Sequence, residues 1–150
     1  MTHRAPFDLF TRSAFGIEPG SRTGAQLVAL ASRVDLPKGQ TAPLDNKSDQ
    51  MIFVAQGATK LVARATEQRQ QIVAFHFGGD IVSVPADGLF ANSVTALLDS
   101  ELLVFPAREF FDLASGEARI ARSLFERLPA ALQRCRDRTV ALGKGSALER

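Results

Sequence analysis

The residues of this chain that could do chemistry are few. Two histidines (His3 and His76), one cysteine (Cys135) and scattered acids are all it offers to a metal or a nucleophilic mechanism. No Ser-His-Asp set, glycine-rich phosphate loop or zinc-ligand spacing occurs. Asp87 and Asp99 flank loops and read as turn formers, not as a paired acid and base. A single cysteine rules out an internal disulfide and an iron–sulfur cluster held by several thiolates of one chain. Redox sensing by Cys135 would need a depressed pKa, for which Arg134, Arg136 and Arg138 are the available cause; packing is the simpler role. The chain is therefore read as no enzyme, with no metal and no cofactor.

Charge is more informative in its distribution than in its sum. The formal net charge of +2 is too small to imply nucleic acid. Between Gly78 and Ala107 there is no Lys or Arg, while Asp80, Asp87, Asp99 and Glu101 are acidic. From Arg119 to Arg138 six arginines stand against Glu126 and Asp137, the pattern of a solvated helix face. No apolar run reaches the length of a membrane span, and the N-terminus lacks a signal-peptide core, so the cytoplasm is the default. At 150 residues one domain with a real core is expected, and eleven Phe without Trp or Tyr read as apolar filling.

The elements that must position these residues centre on Gln70–Val84. Val73, Phe75 and Phe77 alternate with Ile72, Ala74 and His76, the period of a strand buried on both faces. Gly78-Gly79 then makes a corner, and Ile81 to Val84 leaves as a second strand. Upstream, a short helix or two gives way to strands at Val34–Leu36, Thr41–Leu44, Met51–Ala55 and Thr59–Thr66, with Gly57 marking a bulge or tight bend. Downstream, Pro85–Asn92 is a loop or helical turn, and Ser93–Leu98 and Leu102–Phe105 are the last strands. Roughly eight short strands at regular spacing predict a sandwich or barrel.

Helix follows. Arg108–Ala114 is a turn or two, broken at Ser115-Gly116, and Glu117–Leu142 is one long helix with a kink predicted at Pro129. Ile120, Leu124, Leu128, Ala131, Cys135, Thr139 and Leu142 form a continuous stripe on it. At about 39 Å such a helix is longer than a barrel of this size needs as a cover. The stripe is therefore expected to meet a second copy in a parallel twofold dimer; the alternative is a helix packed wholly on its own barrel.

Several of these segments together resemble a known family. The Pro37-Lys38-Gly39-Gln40 turn, Gly57, the block Phe75-His76-Phe77-Gly78-Gly79-Asp80-Ile81-Val82 and Phe105-Pro106-Ala107-Arg108-Glu109-Phe110 look like the sensor domain of the Crp/Fnr transcription regulators, Fnr/FixK-like branch, over roughly residues 25 to 150. The resemblance implies a mainly β fold with a C-terminal helix: a double-stranded β-helix (jelly-roll) barrel followed by a dimerisation helix. On it the chain divides into an N-terminal cap (1–24), a cyclic-nucleotide-binding-like β-roll (25–114), the dimerisation helix (115–142) and a hinge to an absent DNA-binding domain (143–150). The resemblance also implies an effector cassette opening at Gly79, Asp80, Ile81 and Val82 and closing at Ala91, Asn92 and Ser93. Nucleotide-binding members open theirs with Gly-Glu and carry an Arg-Ser or Arg-Thr pair near its end; here Phe90-Ala91-Asn92-Ser93 has no arginine. A buried cyclic phosphodiester needs a cation or aligned amides, so nucleotide binding is not expected. His76 matches a position that family members fill with His regardless of haem and reads as a satisfied barrel-wall residue.

The expected function is thus the sensory and dimerisation domain of a Crp/Fnr-type regulator. It would form a homodimer through its C-terminal helix, reach DNA only through a domain absent from this chain, and answer an effector the sequence does not name. Two alternatives stand beside it. One is a naturally truncated stand-alone domain that heterodimerises with a full-length regulator. The other is a cupin-like small-molecule-binding protein or enzyme, for which two histidines are a thin ligand set.

Overall fold

The computed structural model describes residues 5–148, with side chains over residues 7–143; His3 lies outside the described residues. A short helix α1 (Ala5–Leu9) runs into a π-helical turn (Phe10–Ala14), and α2 (Arg22–Leu30) follows, started by the Ser21 side chain accepting from the Gly24 N–H. Seven strands come next: β1 (Ser32–Leu36), β2 (Gln50–Gln56), β3 (Ala58–Thr66), β4 (Arg69–Phe77), β5 (Ile81–Val84), β6 (Ala91–Ala96) and β7 (Ser100–Pro106). Two helices close the chain, α3 (Ala107–Ser115) and α4 (Ala118–Leu148). All strand pairs are antiparallel, in a four-stranded sheet of order β1-β7-β2-β5 and a three-stranded sheet of order β4-β3-β6. The mainly β architecture with a long C-terminal helix is the one expected. The segment Thr41–Leu44 contributes only a bridge from Thr41 to Thr95, in place of an eighth strand, since Pro43 has no N–H to offer a ladder.

The core has two layers. Ile52, Val54, Val82, Val84 and Leu102 face the three-stranded sheet and meet Leu61, Val94 and Ala96. Met51, Phe53, Leu103 and Phe105 point the other way, into Phe10, Phe15, Phe110 and Ile120 of the helical layer. The strands buried on both faces are therefore β2 and β7. The expectation that β4 would be so buried is corrected: Val73, Phe75 and Phe77 are 41%, 49% and 59% exposed. β4 is an edge strand with only one face on the barrel interior, and alternation alone cannot say whether the second face is covered. For the same reason the eleven Phe are not all filling. Phe75, Phe77, Phe90, Phe111 and Phe125 are exposed, while Phe10 packs on Phe15, Phe53 and Phe105 with ring centroids 4.7–5.0 Å apart.

Gly57 makes the anticipated tight bend, at φ +99°. A Cβ there would lie 2.2 Å from Ser100 Oγ, and the same oxygen accepts the Ala58 N–H. The β2–β7 register shifts beside it, between Val54 and Gln56. At the C-terminal end α4 remains helical through Pro129 and on to Leu148; Glu149 and Arg150 lie outside the described residues. Truncating Phe53, which is 2% exposed within the aromatic cluster, should cost about 3–5 kcal/mol. Urea unfolding of Phe53→Ala against the parent chain measures it.

Candidate functional site

The first candidate is the cassette. Its opening is a tied-off turn. The Asp80 carboxylate accepts the Phe77 N–H at 2.8 Å while the Asp80 N–H returns to the Phe77 carbonyl at 3.0 Å. Gly79, at φ +96°, donates to the Val54 carbonyl, and Val54 donates back to Asp80. Ile81 packs on the helical core and Val82 is buried between the sheets. The closing residues Ala91, Asn92 and Ser93 pair regularly with Arg64, Ala63 and Val62 on β3. The two halves thus lie in different sheets, joined by a loop with no helical turn in it.

Carboxylates from before β2 and from the loop itself occupy amides along this stretch. Asp49 Oδ1 accepts the Ala86 N–H at 2.7 Å, and Asp87 Oδ1 accepts the Asn92 N–H at 3.2 Å. Asp87 N–H goes to the Asn46 carbonyl and Gly88 N–H to the Phe90 carbonyl. A phosphate held by backbone needs free amides and a positive field. Here carboxylates have taken two of the donors, and the segment has no Lys or Arg to offset them.

The second candidate is α4, whose faces differ. Ile120 is 0% exposed, inside the aromatic cluster of its own chain, and Leu124 packs against the same cluster. Ser123 Oγ donates to the Ala14 carbonyl at 2.6 Å and Arg127 Nη1 to the Gly79 carbonyl at 3.1 Å. Ile120 and Leu124 therefore lie on the barrel-facing side, so Ile120, buried within its own chain, offers no surface to a second copy; Ala131 borders the same open groove as Phe125 and Leu128. Leu128, Cys135, Thr139 and Leu142 are exposed, as are Phe125 and Leu132, which the stripe had omitted. Phe125, Leu128, Leu132, Cys135, Thr139 and Leu142 follow steps of three, four, three, four and three, a heptad seam. The stripe drawn from sequence follows an ideal straight helix closely and so stays near the barrel-facing side, whereas the exposed line has the shorter heptad repeat. Three-four alternation starting at Phe125 was the signal to follow.

At the root of this seam lies an apolar groove of about 530 Å³, lined by Met51, Ile81, Phe111, Leu124, Phe125 and Leu128. Across the barrel corner His76 is half-buried, and its Nδ1 is enclosed with no hydrogen-bond partner among the described residues. It is thus not the satisfied wall residue expected. Burial pulls its pKa below the usual histidine value; Asp80 opposes this and Arg134 adds to it. Cys135 is a free, exposed thiol. Among the described residues no three His, Cys, Asp or Glu side chains gather to hold a metal ion, and no helix is long and apolar enough to cross a membrane.

A two-sheet antiparallel barrel with this corner, loop and C-terminal rod is the architecture of a cyclic-nucleotide-binding-type domain. The chain belongs to the cyclic nucleotide-binding domain family, whose model matches residues 33–117. A probable transcriptional activator of Rhizobium leguminosarum bv. viciae is 31% identical over 97 residues, 65% of this chain and 40% of that protein. The chain thus spans less than half of this relative's length. A CooA double mutant from Carboxydothermus hydrogenoformans superposes with a TM-score of 0.66 at 14% identity, covering 83% of this chain and 81% of that one. FixK2 from Bradyrhizobium japonicum gives 0.58 at 21% identity, covering 75% and 58%. Titration calorimetry of the chain with cyclic AMP and cyclic GMP should show no heat of binding; a micromolar Kd would mean the loop amides release their carboxylates.

Proposed function

We propose that this domain senses and dimerises within a Crp/Fnr-type transcription regulator, as a homodimer joined along α4, and that its input is not a cyclic nucleotide. The observation that carries the reading is the exposed heptad seam on a helix anchored by its other side. Phe125 is 71% exposed, and Leu128, Leu132 and Leu142 are 49%, 53% and 56% exposed, in one line. Contiguous apolar surface of this kind marks an interface. A second α4, parallel and in register, covers it with the same residues of its partner. The groove beside Phe125 and Leu128 is continuous with the seam and extends the contact onto the barrel. Cys135 and Thr139 are polar interruptions that weaken the distal seam, which suits a helix pair required to rearrange.

Regulation follows from two arrangements of that pair with different affinity for an input. CooA is a CO-dependent transcription factor, so this barrel fold is compatible with inputs other than nucleotides. The proposed place of action is the cytoplasm. The carboxylates on the Ala86 and Asn92 amides favour a non-nucleotide input.

Light scattering at tens of micromolar should give twice the chain mass for the parent and a monomer for Leu128→Glu and Leu132→Glu. A monomeric parent defeats the reading. Orientation has its own test: a parallel in-register pair sets the two Cys135 side chains opposite each other at a core position. A short bismaleimide should then link the chains covalently at Cys135, while an antiparallel pair would stay unlinked.

A further inference from the structure

A groove of about 700 Å³ runs between α2 and α3 and shares no lining residue with the one at the root of the seam. Its walls are the outward sides of the two helices. Leu27 of α2 and Phe110 and Ala114 of α3 turn into the core. That leaves Gln26, Ala29 and Leu30 on one wall and Glu109, Asp112 and Leu113 on the other. These positions recur at three or four residues along each helix, so each wall is a single helical face. Leu30 and Leu113, half-buried, make an apolar floor, with Ala29 exposed beside them. One end is closed by a cross-link, in which Thr23 Oγ1 donates to Glu117 Oε2 at 3.3 Å. Charge is divided between the rims. Arg22 stands on the α2 side, while Glu109 and Asp112 stand exposed on the α3 side. Among the described residues the carboxylates of Glu109 and Asp112 take part in no ion pair or hydrogen bond; the ion pairs found involve Arg12 and Arg33.

We propose that this groove docks an amphipathic helix of a partner protein, apolar on the side that enters and basic on the flank that meets α3. A helix suits it because both walls are helix faces, whose side-chain ridges accept a third helix. No strand lines the groove, so an extended segment would find no backbone edge to pair with. At nine residues each, α2 and α3 are about 13 Å long, enough for about two and a half turns of the partner. Charge decides the sign. Glu109, Asp112 and Glu117 stand against Arg22, and Lys or Arg on the partner gives Glu109 and Asp112 the counter-charge their own chain does not supply. Arg22 repels the same cations from the opposite wall, which fixes the flank that faces each helix. No residue of the α4 seam lines the groove, so this docking is independent of how α4 pairs.

Fluorescence anisotropy tests this on the whole chain with a labelled helical peptide of about 18 residues, Leu along one face and Arg along one flank of an Ala-rich helix. Saturable binding is expected, weakening as salt rises. Glu109→Gln and Asp112→Asn together should weaken it about tenfold. Ala29→Arg puts bulk and like charge beside the floor and should abolish it. Glu126→Gln removes an exposed acid of α4, outside the groove, and should leave affinity unchanged. Two control peptides complete the set: the same residues shuffled so that no apolar face forms, and the original with Glu in place of Arg. Failure of the basic amphipathic peptide to bind, equal affinity for the shuffled one, or tighter binding of the acidic one overturns the proposal. So does a loss from Glu126→Gln as large as that from the paired change at Glu109 and Asp112.

Discussion

The packing of Ile120 against Phe10, Phe15, Phe105 and Phe110 sets the rest of the molecule. A helix turns by about 100° per residue, so fixing one side chain fixes the direction of every other along the rod. With Ile120 inside the aromatic cluster, Leu124 falls toward the barrel and Phe125, Leu128 and Leu132 toward solvent. The hydrogen bond from Ser123 Oγ to the Ala14 carbonyl adds a second point of attachment, which prevents rotation about the first. The apolar seam is thus a consequence of core packing on the opposite side of the same helix.

The attachment changes character along α4. Near the root it is apolar and close-packed, through Ile120 and Leu124. Further on it consists of guanidinium bonds from Arg127 and Arg138 to single carbonyls, which solvent and ions compete for. The root of the helix is therefore the fixed end and the distal part the adjustable one. The seam follows the same gradient, from Phe125 and Leu128 to Cys135 and Thr139.

Much of this was legible in the chain. The strands from Met51 to Phe105, the Gly57 bend, the Gly78-Gly79 corner and the long helix follow from period, turn chemistry and breakers, all of which are local. What failed was tertiary. Whether the second face of β4 is covered depends on which strands flank it, and the alternation of Val73, Phe75 and Phe77 is the same in either case. The stripe on α4 was assembled by spacing alone, without the rotational phase that Ile120 imposes. The missing arginine of the cassette could be read directly; its sealing by Asp49 could not, since Asp49 and Ala86 are 37 residues apart.

The electrostatics of the barrel corner point in one direction. In the loop that would face a bound phosphate, the amides of Ala86 and Asn92 hold carboxylates, and the surrounding segment has no cation. On the opposite side of the corner, α4 brings up guanidiniums that face only carbonyls and a histidine made less basic by its burial. Acid fills the loop while positive charge collects at the helix. The helix that carries these arginines also carries the exposed apolar line from Phe125 to Leu142.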